Sequence, residues 1–564
     1  MPSACRVDKS SKQKNKKPCL GNRLRTKEFT MNRTTNVPSF EALETRTLMS
    51  GTVKVAESSG NLTITGDAND NSIVVTKTDT TITVIGNDGT IINQTGDLTN
   101  ITGTITIKML DGDDTVVVGE TGEQFLVVSP ATIPSFKAFT VDMGAGDDAL
   151  TIYGLGAQNV SITTGTGNNT TVLDGDDHGS VVAGTLSITG GAGDDDVSII
   201  GNVVITRACT ISNAAGSNTT TFSDDGTNAP AFRKTLSITG GADSDTVTVE
   251  ASDTDNGVYV SSTMTLNMGA GNNELDVDKM VVVGTLTYTG TTGDDVINPG
   301  GIDGGDFLTV KKGLTLSMGA GTNSVSFEDL TVLAGNLSYT GSSTGDTIDI
   351  AGVLEVHGTV SLNLGAGTNA ATIEDVAVSS TFTFTGGTGT DTFTIGDEFD
   401  NAGNVTITMG AGQNTLDVNS AYLAGTLTVN GGANVDHVIL NDTHVDGITK
   451  ITTLAGDDDV TISAGCDFAD AFTLDVGAGI DTVDIATEDG AGLAPTNFFY
   501  TASILGGTEN DIVTIGNERN SDEAVHFYET LTKFDGGAGL NDILLRTDVL
   551  YSFDPTVVGF ETHP

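Results

Sequence analysis

The feature that most limits what this chain can fold into is a recurring unit: a glycine turn, an Asp or Asn just behind it, then a strictly alternating run. It reads MGAGDDALTI at 143–152, GGAGDDDVSI at 190–199, MGAGNNELDV at 268–277, MGAGTNSVSF at 318–327, LGAGTNAATI at 364–373 and VGAGIDTVDI at 476–485. The Asp or Asn returns every 21–28 residues between 148 and 295 and every 22–23 between 323 and 481, before two longer steps of 30 and 31. Alternation with a period of two marks a strand with one buried face. A second alternating run precedes each turn, as in GTLSITG at 184–190, GTLTYTG at 284–290 and TFTFTGG at 381–387. A third short run lies between, as in MVVVG at 280–284.

One coil of three short strands and three bends cannot cover its own inward face, so coils must stack. The expected fold is all-β: a right-handed parallel β-helix (β-solenoid) with about three short strands per ~23-residue coil, its hand following the rule for parallel crossovers. With neighbouring strands ~4.8 Å apart, about nineteen coils make a rod on the order of 90 Å long. The competing arrangement, an array of antiparallel hairpins, calls for two-residue turns every 8–12 residues or so; here the glycine turn comes once per coil. The pattern divides the chain into a basic segment at 1–50, initial coils with a cap at 51–118, the repetitive solenoid at 119–545, and a cap at 546–564, where the repeat fades and aromatics enter.

Charge narrows the function. The chain carries 74 acids against 25 Lys and Arg, a formal net charge of -49. It is segregated, because residues 1–50 hold 11 bases against 4 acids. The acidic remainder repels nucleic acid and anionic membranes, which are bound by clustered cations. No apolar run approaches the ~20 residues of a membrane-crossing helix. The four cysteines, Cys5, Cys19, Cys209 and Cys466, form no CxxC pair, so neither a zinc nor a redox motif is indicated. Gly-x-Gly turns cradle phosphate where a helix follows, and here a strand follows.

Parallel solenoids also serve as polysaccharide lyases and hydrolases, whose sites need converging carboxylates or a base beside bound calcium. The candidate bases, including Lys279, Lys311, Lys312, Lys450, Arg207 and Arg233, are scattered, and the six His residues share no motif. The chain has no Trp on which to stack sugars. The reading is therefore not an enzyme but an exported or cell-surface structural, adhesin-like rod, with a polysaccharide-active enzyme as the alternative. Outward Thr and Ser runs suit surface glycans, or other surface proteins, as partners; nucleic acid is not expected.

The Asx series from 148 alternates without a break: Asp148, Asn169, Asp195, Asn218, Asp245, Asn273 and onward to Asn414 and Asp436. Stacked carboxylates ~5 Å apart repel by about 3 kcal/mol at an effective dielectric near 20, and an intervening amide removes most of that. Past Asp436 the series becomes Asp458, Asp481, Asp511 and Asp542, with Asp457 alongside. Such a stack must protonate, splay or bind a cation, and clustered carboxylates suit Ca²⁺. Asp436, Asp457, Asp458, Asp481, Asp511 and Asp542 are the candidate calcium ligands, in sites concentrated at 430–545.

Two resemblances add to this. FEALETRTLMS at 40–50 resembles the N-terminal segment of large exported planctomycete proteins, a pattern running Leu-Glu-x-Arg-x-Leu-Leu-Ser. Leu43, Glu44, Arg46, Leu48 and Ser50 match, while Thr45 stands where Pro is common and Met49 replaces a Leu. The resemblance implies export or sorting, and Met31 opens a short leader of that family's shape. The turns also resemble the hemolysin-type calcium repeat GGxGxDxUx, with Gly190, Gly191, Gly193, Asp195 and Val197 as one full match and Gly386, Gly387, Gly389, Asp391 and Phe393 as another. That family repeats roughly every nine residues, so what carries over is the turn: glycines at positive φ, then an Asx before the strand.

Overall fold

The computed structural model describes residues 51–564 apart from 79, 96–97, 120–135, 252–256, 300–306, 328–330, 353, 397, 488–493, 517–523, 530–531, 541, 548, 553 and 563–564. Leu43, Glu44, Arg46, Leu48 and Ser50 lie outside the described residues. Among the described residues every regular element is a strand, and no helix is long and apolar enough to cross a membrane.

From residue 104 onward the pairing is parallel throughout, each strand bonding to its counterparts one coil before and one coil after. A representative coil has Thr246–Glu250, Val258–Val260 and Met264–Ala270, which pair in turn with Glu274–Val277, Lys279–Val282 and Thr285–Thr292 of the next. The molecule thus has three faces. The strand before the glycine turn builds the first, the strand after the Asx the second, and the short run that follows the third. The expected β-solenoid is what the chain forms.

Period-two alternation explains the packing. Val247, Val249, Val258, Val260, Met264 and Leu266 all point inward and are at most 1% exposed, while the residues between them point out. Each aliphatic side chain buried this way contributes about 1.5–3 kcal/mol. Larger residues stack on their own kind from coil to coil. Phe468, Phe498, Phe527 and Tyr551 form an inward column on the third face, with ring centroids 5.1, 4.7 and 5.4 Å apart.

The start of the stack departs from this plan. The strands β1 (Thr52–Ser58) and β2 (Asn61–Thr65) form an antiparallel hairpin, as do β3 (Ser72–Thr78) and β4 (Thr81–Asn87). The first turns through Ser59 and Gly60, both at positive φ, the geometry a two-residue hairpin loop needs. A further strand, β5 (Ile91–Thr95), pairs in parallel with β1. The antiparallel alternative therefore holds locally, within the segment expected as initial coils and cap. At the other end, the strands described after residue 546 continue the stack. Val549–Tyr551, Thr556–Val558 and Glu561–Thr562 each pair in parallel with the preceding coil.

Candidate functional site

The Asx series forms one buried file along the corner between the first and second faces. From Asn71 to Asp511 each backbone N–H except that of Asn414 donates to the Oδ1 of the Asx one coil further on; the Asn414 N–H goes to the Val435 carbonyl at 3.2 Å. Asn71 bonds to Asp114 at 2.7 Å, Asp114 to Asp148 at 2.8 Å and Asp148 to Asn169 at 3.0 Å. The file continues to Asp511, which bonds to Asp542 at 3.1 Å. Glycines at positive φ, such as Gly144 and Gly146 (φ 103° and 143°), bend the chain so that the N–H meets the next coil's side chain.

Alternation has a chemical reason beyond charge spacing. The Asn amide donates to the next Asp: Asn169 Nδ2 reaches Asp195 Oδ1 at 2.7 Å, Asn323 reaches Asp346 at 2.9 Å, and Asn414 reaches Asp436 at 2.8 Å. It also returns to its own turn, as in Asn323 Nδ2 to the Gly321 carbonyl at 3.1 Å. A carboxylate has no such hydrogen.

The Asp coils solve a second problem. Their Oδ2 turns back onto the first residue of the turn, five positions earlier, and in the alternating stretch from Asp195 to Asp436 that residue is always Gly. A Cβ on Gly290 would lie 1.9 Å from Asp295 Oδ2. In several coils the following amide donates to this oxygen, as Gly191 does to Asp195 at 3.0 Å and Gly241 to Asp245 at 2.8 Å. The intervening Asn coils instead carry Asn213, Met268, Met318, Leu364 or Met409 at the same position. The repeat is therefore a pair of coils, Gly with Asp and then a larger residue with Asn. Sequence reasoning aligned only the Asx column and missed this coupling, although both columns are readable.

A second file runs outside the first, one residue earlier, with opposite polarity. Asp147 N–H donates to Asp113 Oδ1 at 2.9 Å, Asn168 to Asp147 at 2.8 Å, and Ile480 to Asp457 at 2.9 Å.

The structure places the candidate calcium ligands within this frame. Asp436, Asp458, Asp481, Asp511 and Asp542 form consecutive rungs of the inner file, each at most 2% exposed, and Asp457 belongs to the exposed outer one. The Oδ1 of Asp458, Asp481, Asp511 and Asp542 is engaged by an N–H, while the Oδ2 of each is buried without a hydrogen-bond partner. Burial, with Asp511, Asp458 and Asp457 close by, pushes the Asp481 carboxyl up to about 7. Burial and Asp542 raise Asp511 to about 6. The pair at the other break, Asp114 and Asp148, behaves alike, raised by burial to about 7 and about 6. Among the described residues no three His, Cys, Asp or Glu side chains converge as a metal site.

A constellation without a sequence motif lies on the outer side of the third face. Tyr422 stacks on His444 with centroids 5.2 Å apart, and its hydroxyl donates to Asp446 Oδ2 at 2.6 Å. The His444 ring bridges Asp446 at 3.0 Å and Asp467 at 3.5 Å. Asn497 donates to Asp467 at 2.8 Å, and Phe499 stacks on Tyr528 5.0 Å away. The hydrogen bonds from Tyr422 and His444 hold the Asp446 carboxyl below its ordinary range. These residues come from different coils of unequal length, and only the stacking register brings them together.

No protein-family model, no curated protein and no solved structure matches the chain.

Proposed function

We propose that this chain is an exported or cell-surface structural protein, an adhesin-like rod. The observation that carries the reading is the unbroken stack: one core and one file of side-chain bonds run from the first coils to Asp542. A stack whose cross-section repeats coil after coil supplies length and regular area rather than a single enclosed cleft. The basic head and the export-like segment at 40–50 support the same reading. Protease shaving of intact source cells, followed by peptide mapping, tests it. Solenoid peptides released before lysis are the expected result, and recovery only after lysis would overturn it.

Calcium belongs to this proposal at the exposed file. The Asp457 carboxylate is open to solvent, whereas the inner oxygens are engaged or enclosed. Calcium titration of the full chain should raise the melting temperature, and Asp457→Asn should reduce that rise. An identical melting temperature in calcium and in chelator would remove the proposal.

The enzyme alternative has a specific observation in its favour, the Asp446–His444–Asp467 bridge beside Tyr422. A His between two carboxylates is suited to proton transfer. Incubation with pectin, alginate and sulfated polysaccharides is expected to release no new chain ends. Release that disappears in His444→Ala would make the chain an enzyme.

A further inference from the structure

Each strand of the first face points two side chains outward, two residues apart, and the parallel register aligns them into two files. One runs from Ser161 to Thr428 and the other from Thr163 to Asn430, with an unbroken residue-to-residue correspondence at these positions. Over these coils every position in both files is Ser, Thr or Asn. In a chain of net charge -49 this calls for a reason.

Strand propensity does not supply it. Thr is a good exposed strand residue, but the same two files accept charge on either side of the window. Lys108 and Asp142 precede it, and Lys450 and Asp475 follow it. The second face of the same coils carries Asp196, Glu274, Asp276, Asp349 and Asp417 at outward positions. The fold tolerates charge at such sites, and the first face lacks it only across this stretch.

We infer that the outer side of the first face, from Ser161 to Asn430, is a docking surface for an uncharged, hydroxyl-rich polymer, a neutral glycan; this rests on the surface-protein reading and names its ligand class. Hydroxyls and amides both donate and accept, as sugar hydroxyls do, and rows ~4.8 Å apart present them at regular intervals. Carboxylates would hold water that a neutral chain cannot replace at equal free energy. A protein partner is disfavoured because neither file offers the aromatic or Arg anchors on which protein interfaces depend. Ordered water is disfavoured because Ser and Asn interrupt the Thr methyl array while preserving hydrogen-bonding capacity.

The test is co-sedimentation of the full chain with insoluble cellulose, chitin and β-1,3-glucan, at low and high salt. Retention on at least one of these, insensitive to salt, is expected. A variant carrying Thr287→Lys, Thr315→Lys and Ser338→Lys should lose at least tenfold in retention. A second variant, Thr287→Val with Thr315→Val and Ser338→Ala, keeps strand-compatible side chains but removes the hydroxyls, and should also lose retention with an unchanged melting temperature. A control carrying Thr221→Lys and Thr248→Lys on the second face should bind like the parent. Failure to sediment with any neutral polymer, or equal retention of the hydroxyl-free variant, would overturn the inference, as would thermal hysteresis on freezing without glycan binding. Surface exposure of the chain without glycan binding would sink this inference and leave the structural-rod reading standing.

Discussion

Two stretches of one file, Asp195 to Asp436 and Asp436 to Asp542, share backbone geometry and differ in chemistry. In the first, each buried carboxylate receives an amide hydrogen from one neighbour and passes its N–H to the other. In the second, N–H donation continues but the amide hydrogens are gone; an Oδ2 without a donor is common to both stretches, at Asp295, Asp346 and Asp391 as at Asp458, Asp481, Asp511 and Asp542. The turn therefore needs only an oxygen at Oδ1. What the Asn adds is a hydrogen that favours the charged form of the next carboxylate, against the burial that raises the carboxyls of both stretches, Asp195, Asp245, Asp295, Asp346, Asp391 and Asp436 as well as Asp458, Asp481 and Asp511.

The sharpest way to break this comparison is to turn the first stretch into the second. Asn323→Asp removes the bonds to Asp346 and Gly321 and places three carboxylates in a row. It should destabilise by about 3–5 kcal/mol at pH 8 and by much less at pH 5, read by denaturant unfolding at both. Equal loss at both pH values would mean that shape, not charge, selects Asn.

The reverse change should stabilise. Asp481→Asn restores alternation between Asp458 and Asp511, and should gain about 1–3 kcal/mol at pH 8 with little gain at pH 5. Destabilisation at pH 8 would show that the run is held by something the carboxylate supplies, a cation included.

In the parent chain the pH dependence follows from the raised carboxyls. Asp481 at about 7 and Asp511 at about 6 bind protons more tightly folded than unfolded. Their most stable condition is therefore below the ordinary carboxylate value of 3.8, and stability falls as pH rises from there through about 7. Limited proteolysis should cut 436–542 faster at pH 8 than at pH 5.5, with a smaller change between 195 and 436. Uniform sensitivity along the rod would contradict the comparison. The smallest effect expected is Tyr339→Phe. Tyr339 buries its hydroxyl beside Asp346 without a hydrogen bond, and removing it should raise stability by about 1 kcal/mol in denaturant unfolding. A loss of stability would mean that the hydroxyl does bond that carboxylate.

How much of this was legible in the sequence depends on whether a feature repeats. The coil, its inward residues and the Asp/Asn alternation were readable because the period of 22–23 residues places them in columns. The hairpin through Ser59 and Gly60 occurs once, so the repeat gave it no support, although SSGN is a turn signal. After 546 the pattern fades because the three short strands there, which pair in parallel with the preceding coil, carry no glycine turn with its Asx. Tyr422, His444 and Asp467 keep the 22–23-residue period but do not repeat as a residue type, so no column marked them, and the two long steps before Asn497 and Tyr528 take those two out of the period.

The pairing of Gly with Asp and of a larger residue with Asn also fixes how such a rod can change length. Removing residues 296–346 would bring Asp295 directly before Asn369 and leave every rung with its proper neighbour. Removing a single coil, 296–323, would set Asp295 against Asp346 in the buried file. Length can therefore be edited at low cost in steps of two coils and not of one, so the smallest part that can be copied or lost is twice the smallest part visible in the backbone.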